Sequence, residues 1–217
     1  MKRVSHKATH LRDFSSGVSL GGKVSCYQQN QSIYTQGEPA NALFYIQRGG
    51  VRLSTRRHKR PTVVTGILGA GDFFGELCLA DYPLRMCTAV ALTASTIRTI
   101  QKAKMLQMLR KSTKTSFSLV AHLLSNTKNY RDHVADLLTS SAEHRLAHVL
   151  LRLAHLGKNG RTGVRLPHLT DTLLAEMVGT TRSRVNAFMM RFRKKGFISE
   201  DRGILVHPSL QKALGRQ

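Results

Sequence analysis

Acidic residues are scarce in this chain: Asp and Glu number 12 against 34 Lys and Arg, a formal net charge of +22 over 217 residues. An excess of that size points to a polyanionic partner, most often nucleic acid, held by phosphate contact and counterion release. The excess is spread along the chain. Residues 141–217 carry 14 Lys/Arg and 5 Asp/Glu, a net +9, which leaves +13 for the first 140. Cysteine is also sparse: Cys26, Cys78 and Cys87 are odd in number and far apart, with no CxxC pair. That excludes a disulfide framework, fits a reducing cytoplasm, and falls short of the four thiolates of an iron–sulfur cluster. No apolar run approaches the roughly 18 residues of a membrane span. The N-terminal MKRVSHKATHLRDFSSG is basic and lacks a secretory apolar segment, so residues 1–22 read as a mobile tail. HExxH and P-loop motifs are absent, and no enzyme is expected. His144, His148 and His155 fall in line on one helix, the last about 10 Å further along, and converge poorly on one ion. No metal or haem site is therefore expected.

What is present changes character midway. Over residues 24–100, short β-type runs (Leu43–Gln47, Val51–Thr55, Thr62–Leu68, Thr88–Ile100) alternate with turns at Gly37, Gly49–Gly50, Gly69–Gly71 and Gly75. This spacing predicts a closed antiparallel roll or barrel. Helical patterning follows: a short amphipathic Lys102–Lys111, then a long helix over about 112–138. In the long helix Phe117, Val120, Leu124, Thr127, Arg131, Val134 and Leu138 step by three and four, the period of helix pairing. A second stripe of Leu119, Leu123, Asn126, Tyr130, His133 and Leu137 lies beside it. One stripe is expected to pack on the roll and the other on a twin helix, making a homodimer. Ser140 with Glu143 reads as a capping box opening a helix that ends at Gly157. Lys158–Pro167 is expected to form a small hairpin, and residues 204–207 a final strand.

Two segments carry chemistry. Residues 71–89, GDFFGELCLADYPLRMCTA, combine Gly75, Glu76 and Leu77 with Arg85 nine residues after Glu76, then Thr88. Glycine allows close backbone approach, a turn of N–H groups forms an anion nest, arginine forks onto phosphate, and a carboxylate suits ribose hydroxyls. A small phosphorylated sugar or nucleotide is the implied ligand. The second segment spans residues 169–198. Leu173, Leu174, Met177 and Val178 form one amphipathic helix that ends at Gly179. Thr180 or Thr181 caps the next, in which Val185, Phe188, Met189 and Phe192 recur at helical spacing. Its outer face offers Arg182, Ser183, Arg184 and Asn186, whose groups match base edges. Arg184, Arg191, Arg193, Lys194 and Lys195 suit phosphates.

Roll, cassette, long helix and C-terminal helix-turn-helix together resemble the cyclic-AMP receptor protein/fumarate–nitrate regulator (CRP/FNR) superfamily over residues ~24–210. The resemblance implies an α+β chain: a basic tail (1–22), a jelly-roll-like antiparallel β-roll (23–111), a long dimerisation helix and hinge (112–139) and a winged helix-turn-helix (140–217). It implies a homodimeric regulator that binds a near-palindromic double-stranded operator, with RNA polymerase as a further partner and no membrane role. Cyclic AMP or cyclic GMP would be the effector. Carried over, Glu76 would hold the ribose 2′-OH and Arg85 the cyclic phosphate, with backbone of Gly75–Leu77 and of Met86, Cys87 and Thr88 completing the cradle. Thr127, Tyr130 and Arg131 of the long helix would approach the ligand. Two residues separate Arg85 from Thr88, as in cyclic-nucleotide-dependent kinase regulatory domains, and Tyr130-Arg131 stands at the purine-contacting pair. Base identity, and regulation by redox state, by another ligand or by none, therefore stay open. For DNA the resemblance implies Thr180, Thr181, Arg182, Ser183, Arg184, Asn186 and Arg191, with Arg182 as the guanine reader.

Overall fold

The computed structural model describes residues 21–56, 62–156, 164–166, 169–200 and 203–214. The tail expected at 1–22 lies almost wholly outside them, as do Gly157 and all of the expected 158–167 hairpin except 164–166. The N-terminal half is built from eight strands: β1 (Lys23–Tyr27), β2 (Ser32–Tyr34), β3 (Ala42–Arg48), β4 (Gly50–Thr55), β5 (Val63–Gly69), β6 (Phe73–Phe74), β7 (Thr88–Ala91) and β8 (Ser95–Gln101). They form two antiparallel sheets, ordered β1-β8-β3-β6 and β2-β7-β4-β5. The single run expected at Thr88–Ile100 is two strands, one in each sheet. Thr93 and Ser95 cause the break, because their hydroxyls both accept from Gly50 N–H and turn the chain between layers. Inside, Phe44, Ile46, Phe74, Leu53 and Ile97 form one apolar cluster, and Leu43, Tyr45, Phe73, Ile100 and Met105 another.

Helix α1 (Lys102–Lys111) leads to α2 (Thr113–Thr139), 27 residues and so about 40 Å long. Ser112 caps α2, its hydroxyl accepting from Thr115 N–H. The two stripes of α2 separate as expected over its first half, whereas Tyr130 and Leu137 of the stripe expected to pack on the roll are themselves exposed (46% and 43%). Leu119 is buried and Leu123 packs against the roll cluster, whereas Phe117 (75%), Leu124 (65%) and Leu138 (81%) are open to solvent, with Val120 and Val134 also exposed.

The C-terminal half holds α3 (Ala142–Leu156), β9 (Val164–Arg165), α4 (Asp171–Val178), α5 (Arg182–Lys194), β10 (Ile198–Glu200), β11 (Ile204–Val206) and α6 (Ser209–Leu214). The start of α3 corrects the expected capping box. Ser141, not Ser140, accepts from a first-turn N–H, that of His144, and Glu143 instead meets Arg191 at 3.0 Å. Strands β10, β11 and β9 make a three-stranded wing sheet in that order. The expected 204–207 strand is β11, and its partner β10 went unseen in the pattern. Leu146, Leu150, Leu174, Val178, Val185 and Phe192 form this half's core. Val64 and Leu92 of the roll belong to the same cluster, and Arg52 of β4 lies 3.7 Å from Glu176 of α4. The reading domain is thus docked on the roll through β5.

Candidate effector site and nucleic-acid interface

The cassette is a 3₁₀ turn, Glu76–Ala80, entered through Gly75 in the left-handed region (φ 73°). Glycine is required there twice over. Other residues seldom adopt that backbone conformation, and a Cβ would sit 2.7 Å from Arg85 Nη1 and 3.2 Å from the Phe44 ring. The following segment is tied to the 36–40 turn: Arg85 N–H donates to Glu38 O (2.8 Å), Gly37 N–H to Arg85 O (2.9 Å) and Gln36 N–H to Thr88 Oγ1 (3.0 Å).

Arg85 is 6% exposed. Its guanidinium carbon lies 4.4 Å from the Tyr34 ring centre and 5.1 Å from that of Phe44, and Nη1 donates to Gly75 O at 3.3 Å. Its buried Nε finds no partner, and among the described residues no carboxylate lies within ion-pair distance. A buried cation with an unused donor is expensive unless an anion or water completes it. Glu76 follows Gly75, whose carbonyl accepts from Arg85. Burial pushes the Glu76 carboxyl above its usual range, an effect its own backbone N–H and His122 oppose. Burial likewise raises the Cys87 thiol, whose sulfur lies 3.7 Å from the Tyr34 hydroxyl.

The structure therefore gathers Gly75, Arg85, Cys87 and Thr88, with Glu76 following in the turn, and places Tyr130 on the adjacent cleft beside Asp72. Leu77 and Met86 offer only backbone, their side chains being exposed. Thr127 and Arg131 do not join the site. Both are exposed on the outward stripe of α2, and the Thr127 hydroxyl donates to Leu123 O in its own helix. The 3.5-residue period decides this, because positions in phase with Phe117 and Leu124 leave the roll. Four residues escaped the sequence reading. Tyr34, Phe44 and Phe74 stack on one another at centroid distances of 5.0–6.0 Å, and the first two line Arg85. His122 is buried, its Nε2 accepting from Phe73 N–H (3.2 Å) and clamping α2 to β6. The stripe Leu119–Leu123–Asn126 carried that signal, since His122 falls one residue from it. Next to the cassette a cleft of about 300 Å³ opens between β5, α2 and α3, lined among others by Leu68, Asp72, Asn129, Tyr130, His148 and Arg152.

At the other end, α4 is capped by Thr170 and closes on Gly179 (φ 70°), and Thr181 caps α5 by accepting from Arg184 N–H. Thr180 is corrected: its hydroxyl is buried without a partner and is not presented to DNA. Arg182, Ser183, Arg184 and Asn186 are exposed, while Val185, Phe188, Met189 and Phe192 anchor the helix. Arg184 and Arg191 both lie over the Phe188 ring, at 5.8 and 5.0 Å, and Asn186 Nδ2 reaches Asp171 Oδ2 at 3.5 Å.

A β-roll carrying a buried arginine at a glycine turn, joined by a long helix to a winged helix-turn-helix, defines the class: a DNA-binding transcription regulator with an N-terminal sensory-type domain. The comparisons agree. Residues 24–112 match the cyclic nucleotide-binding domain family, and residues 144–211 match the Crp-like helix-turn-helix domain family. The chain belongs to the CRP/FNR family of DNA-binding transcription regulators. It is 30% identical to Regulatory protein CysR of Synechococcus elongatus over 77% of either chain. It is 26% identical to the CRP-like cAMP-activated global transcriptional regulator of Mycobacterium tuberculosis, covering 84% of this chain and 83% of that one. FixK2 from Bradyrhizobium japonicum shares the fold, with TM-score 0.77, 19% identity, and coverage of 90% of this chain and 96% of that one.

Proposed function

We propose that this chain works as a homodimer whose affinity for a near-palindromic operator is gated by a small phosphorylated effector in the roll, a cyclic nucleotide. The observation that carries the effector is Arg85: a guanidinium sunk among aromatic rings with Nε unused, its Nη1 on the left-handed Gly75 turn that leads into Glu76. A cyclic phosphate would take the free donor, and Glu76 a ribose hydroxyl. The exposed Phe117–Leu138 stripe supports the dimer, which would set two α5 helices about 34 Å apart in successive major grooves. Arg182, Ser183, Arg184 and Asn186 would face the bases or their phosphates, and Arg191 a phosphate, with RNA polymerase as a further partner. Such a role places the chain with the chromosome, in a bacterial cytoplasm, and requires no catalytic step. The domains then divide as tail 1–22, roll 23–111, helix 112–139 and reading head 140–217.

One observation favours a second reading. Tyr34 and Phe44, with Phe74 stacked on them, already fill the space around Arg85, so the roll can stand closed as a structural core and the regulator act without effector. Calorimetric titration with cyclic AMP and cyclic GMP separates the two. Saturable heat lost in Arg85→Gln supports gating, and silence from both nucleotides with the fold intact selects the effector-independent reading.

A further inference from the structure

The burial pattern of α5 fixes which residues point outward, and they are not its arginines. At about 100° per residue, Val185, Phe188, Met189 and Phe192 converge on one inward direction. Directly opposite run Ser183, Ala187, Met190 and, in the last turn, Lys194, all exposed. Arg182 and Asn186 fall on one flank of that line, Asn186 leaning toward Asp171. Arg184 and Arg191 fall on the other, drawn back over Phe188, with Arg191 held by Glu143. The Ser183 hydroxyl is 3.2 Å from that of Thr181, so the N-terminal member of the line is already engaged. What remains on the crest ahead of Lys194 is a methyl and a thioether. Met190 is 55% exposed, whereas Met177 and Met189 of the same domain are at most 4% exposed. A hydrophobic side chain left open on the crest of a reading helix matches the one apolar mark in the major groove, the 5-methyl of thymine.

We infer that Ala187 and Met190 form an apolar reader that selects thymine within each half-site, between the positions read from the two polar flanks. This rests on the DNA-binding role of α5. An exposed thioether can follow the methyl by rotamer change at little cost, since it is unbranched and flexible. Withdrawing one methyl from such a contact is worth on the order of fourfold in affinity, and about fifteenfold when both half-sites of a dimer lose it.

The test uses the full chain and randomised duplex pools synthesised with either thymidine or deoxyuridine, with cyclic AMP, cyclic GMP or no nucleotide present. The expected result is a motif enriched from the thymidine pool whose binding weakens about fourfold per half-site when one internal thymine becomes uracil. Met190→Ala and Met190→Gln should remove that difference while preserving the preference assigned to Arg182. Both changes sit on an exposed position, and circular dichroism checks that each variant is folded. Equal wild-type binding to the thymine and uracil duplexes, or undiminished discrimination by both variants, overturns the proposal. Enrichment of no sequence under any condition overturns the reading of α5 as a DNA reader instead.

Discussion

The outward stripe of α2 gives the sharpest quantitative test of assembly. Leu124 is 65% exposed in the isolated chain and lies at the middle of a line that includes Phe117, Val120, Val134 and Leu138. If two α2 helices pair along it, each Leu124 is buried by the partner, and burying a leucine side chain contributes about 2 kcal/mol. A symmetric pair holds two copies, so Leu124→Glu removes about 4 kcal/mol even before charge repulsion is added, and the dimer dissociation constant should rise about a thousandfold. Ser125 is exposed and lies off the stripe, so Ser125→Glu should leave association unchanged. Sedimentation velocity over a dilution series reads both constants. Thermal melting of Leu124→Glu at low concentration should match wild-type monomer, because the side chain supports nothing within one chain. A monomeric wild type at every concentration, or a Leu124→Glu dimer as tight as the wild type, would falsify pairing through this seam.

At the reading helix, Arg182→Ala should lower affinity for a selected operator by roughly 5- to 150-fold per half-site, from 1–3 kcal/mol for each bidentate guanine contact, and leave random DNA nearly unaffected. Fluorescence anisotropy on both duplexes checks it, and equal losses would assign Arg182 to phosphate. Gly75→Ala should cost about 1–2 kcal/mol from the left-handed backbone alone, lowering Tm by a few degrees, with the Arg85 clash adding to it. An unshifted Tm would mean that the turn relaxes freely. Glu76→Gln should stabilise the protein near pH 8, because burial makes the ionised carboxylate costly. The sign follows from the raised folded value. Wild type binds its proton more tightly when folded, so it gains stability as pH falls through that value toward the ordinary glutamate value. The advantage of Gln must therefore shrink on acidification, and a pH-independent difference in denaturant midpoint would refute the burial argument.

The parts of this fold legible in the sequence were those with a period or a cap. The 3–4 stepping of Phe117 to Leu138 located both faces of α2, and Thr181 ahead of Arg182 located α5, because spacing along one helix maps directly onto geometry. Local chemistry was less decisive where two candidates stood side by side. Ser140 and Ser141 both precede an acidic first turn, and only the helix start at Ala142 selects Ser141. The site was half legible. Gly75, Glu76 and Arg85 announce themselves at fixed spacing, but Tyr34 and Phe44 come from strands about 50 and 40 residues earlier, and cross-sheet neighbours leave no local signal. Arg131 rests on homologous position and Thr127 on its nearness along the helix, whereas the equally visible helix period turns both outward.

Gating through this architecture has a plausible energetic scale. The reading head is held to the roll by Val64 and Leu92, which enter its apolar cluster, and by the partly exposed Arg52–Glu176 pair. Burial of two aliphatic side chains is worth roughly 3–6 kcal/mol, and an exposed ion pair 0–1 kcal/mol. Moving a two-state equilibrium from 1:99 to 99:1 takes about 5.5 kcal/mol of preferential binding, the same size as that clasp. The route is short. Gly69 ends β5 and donates to Asp72, which opens the cassette, and Val64 lies five residues back on the same strand. An anion drawn to Arg85 would act on the 71–76 turn, and β5 cannot shift at one end without disturbing its packing on α4 at the other. Coupling of this kind needs no separate signalling element, because one strand is shared by the two cores.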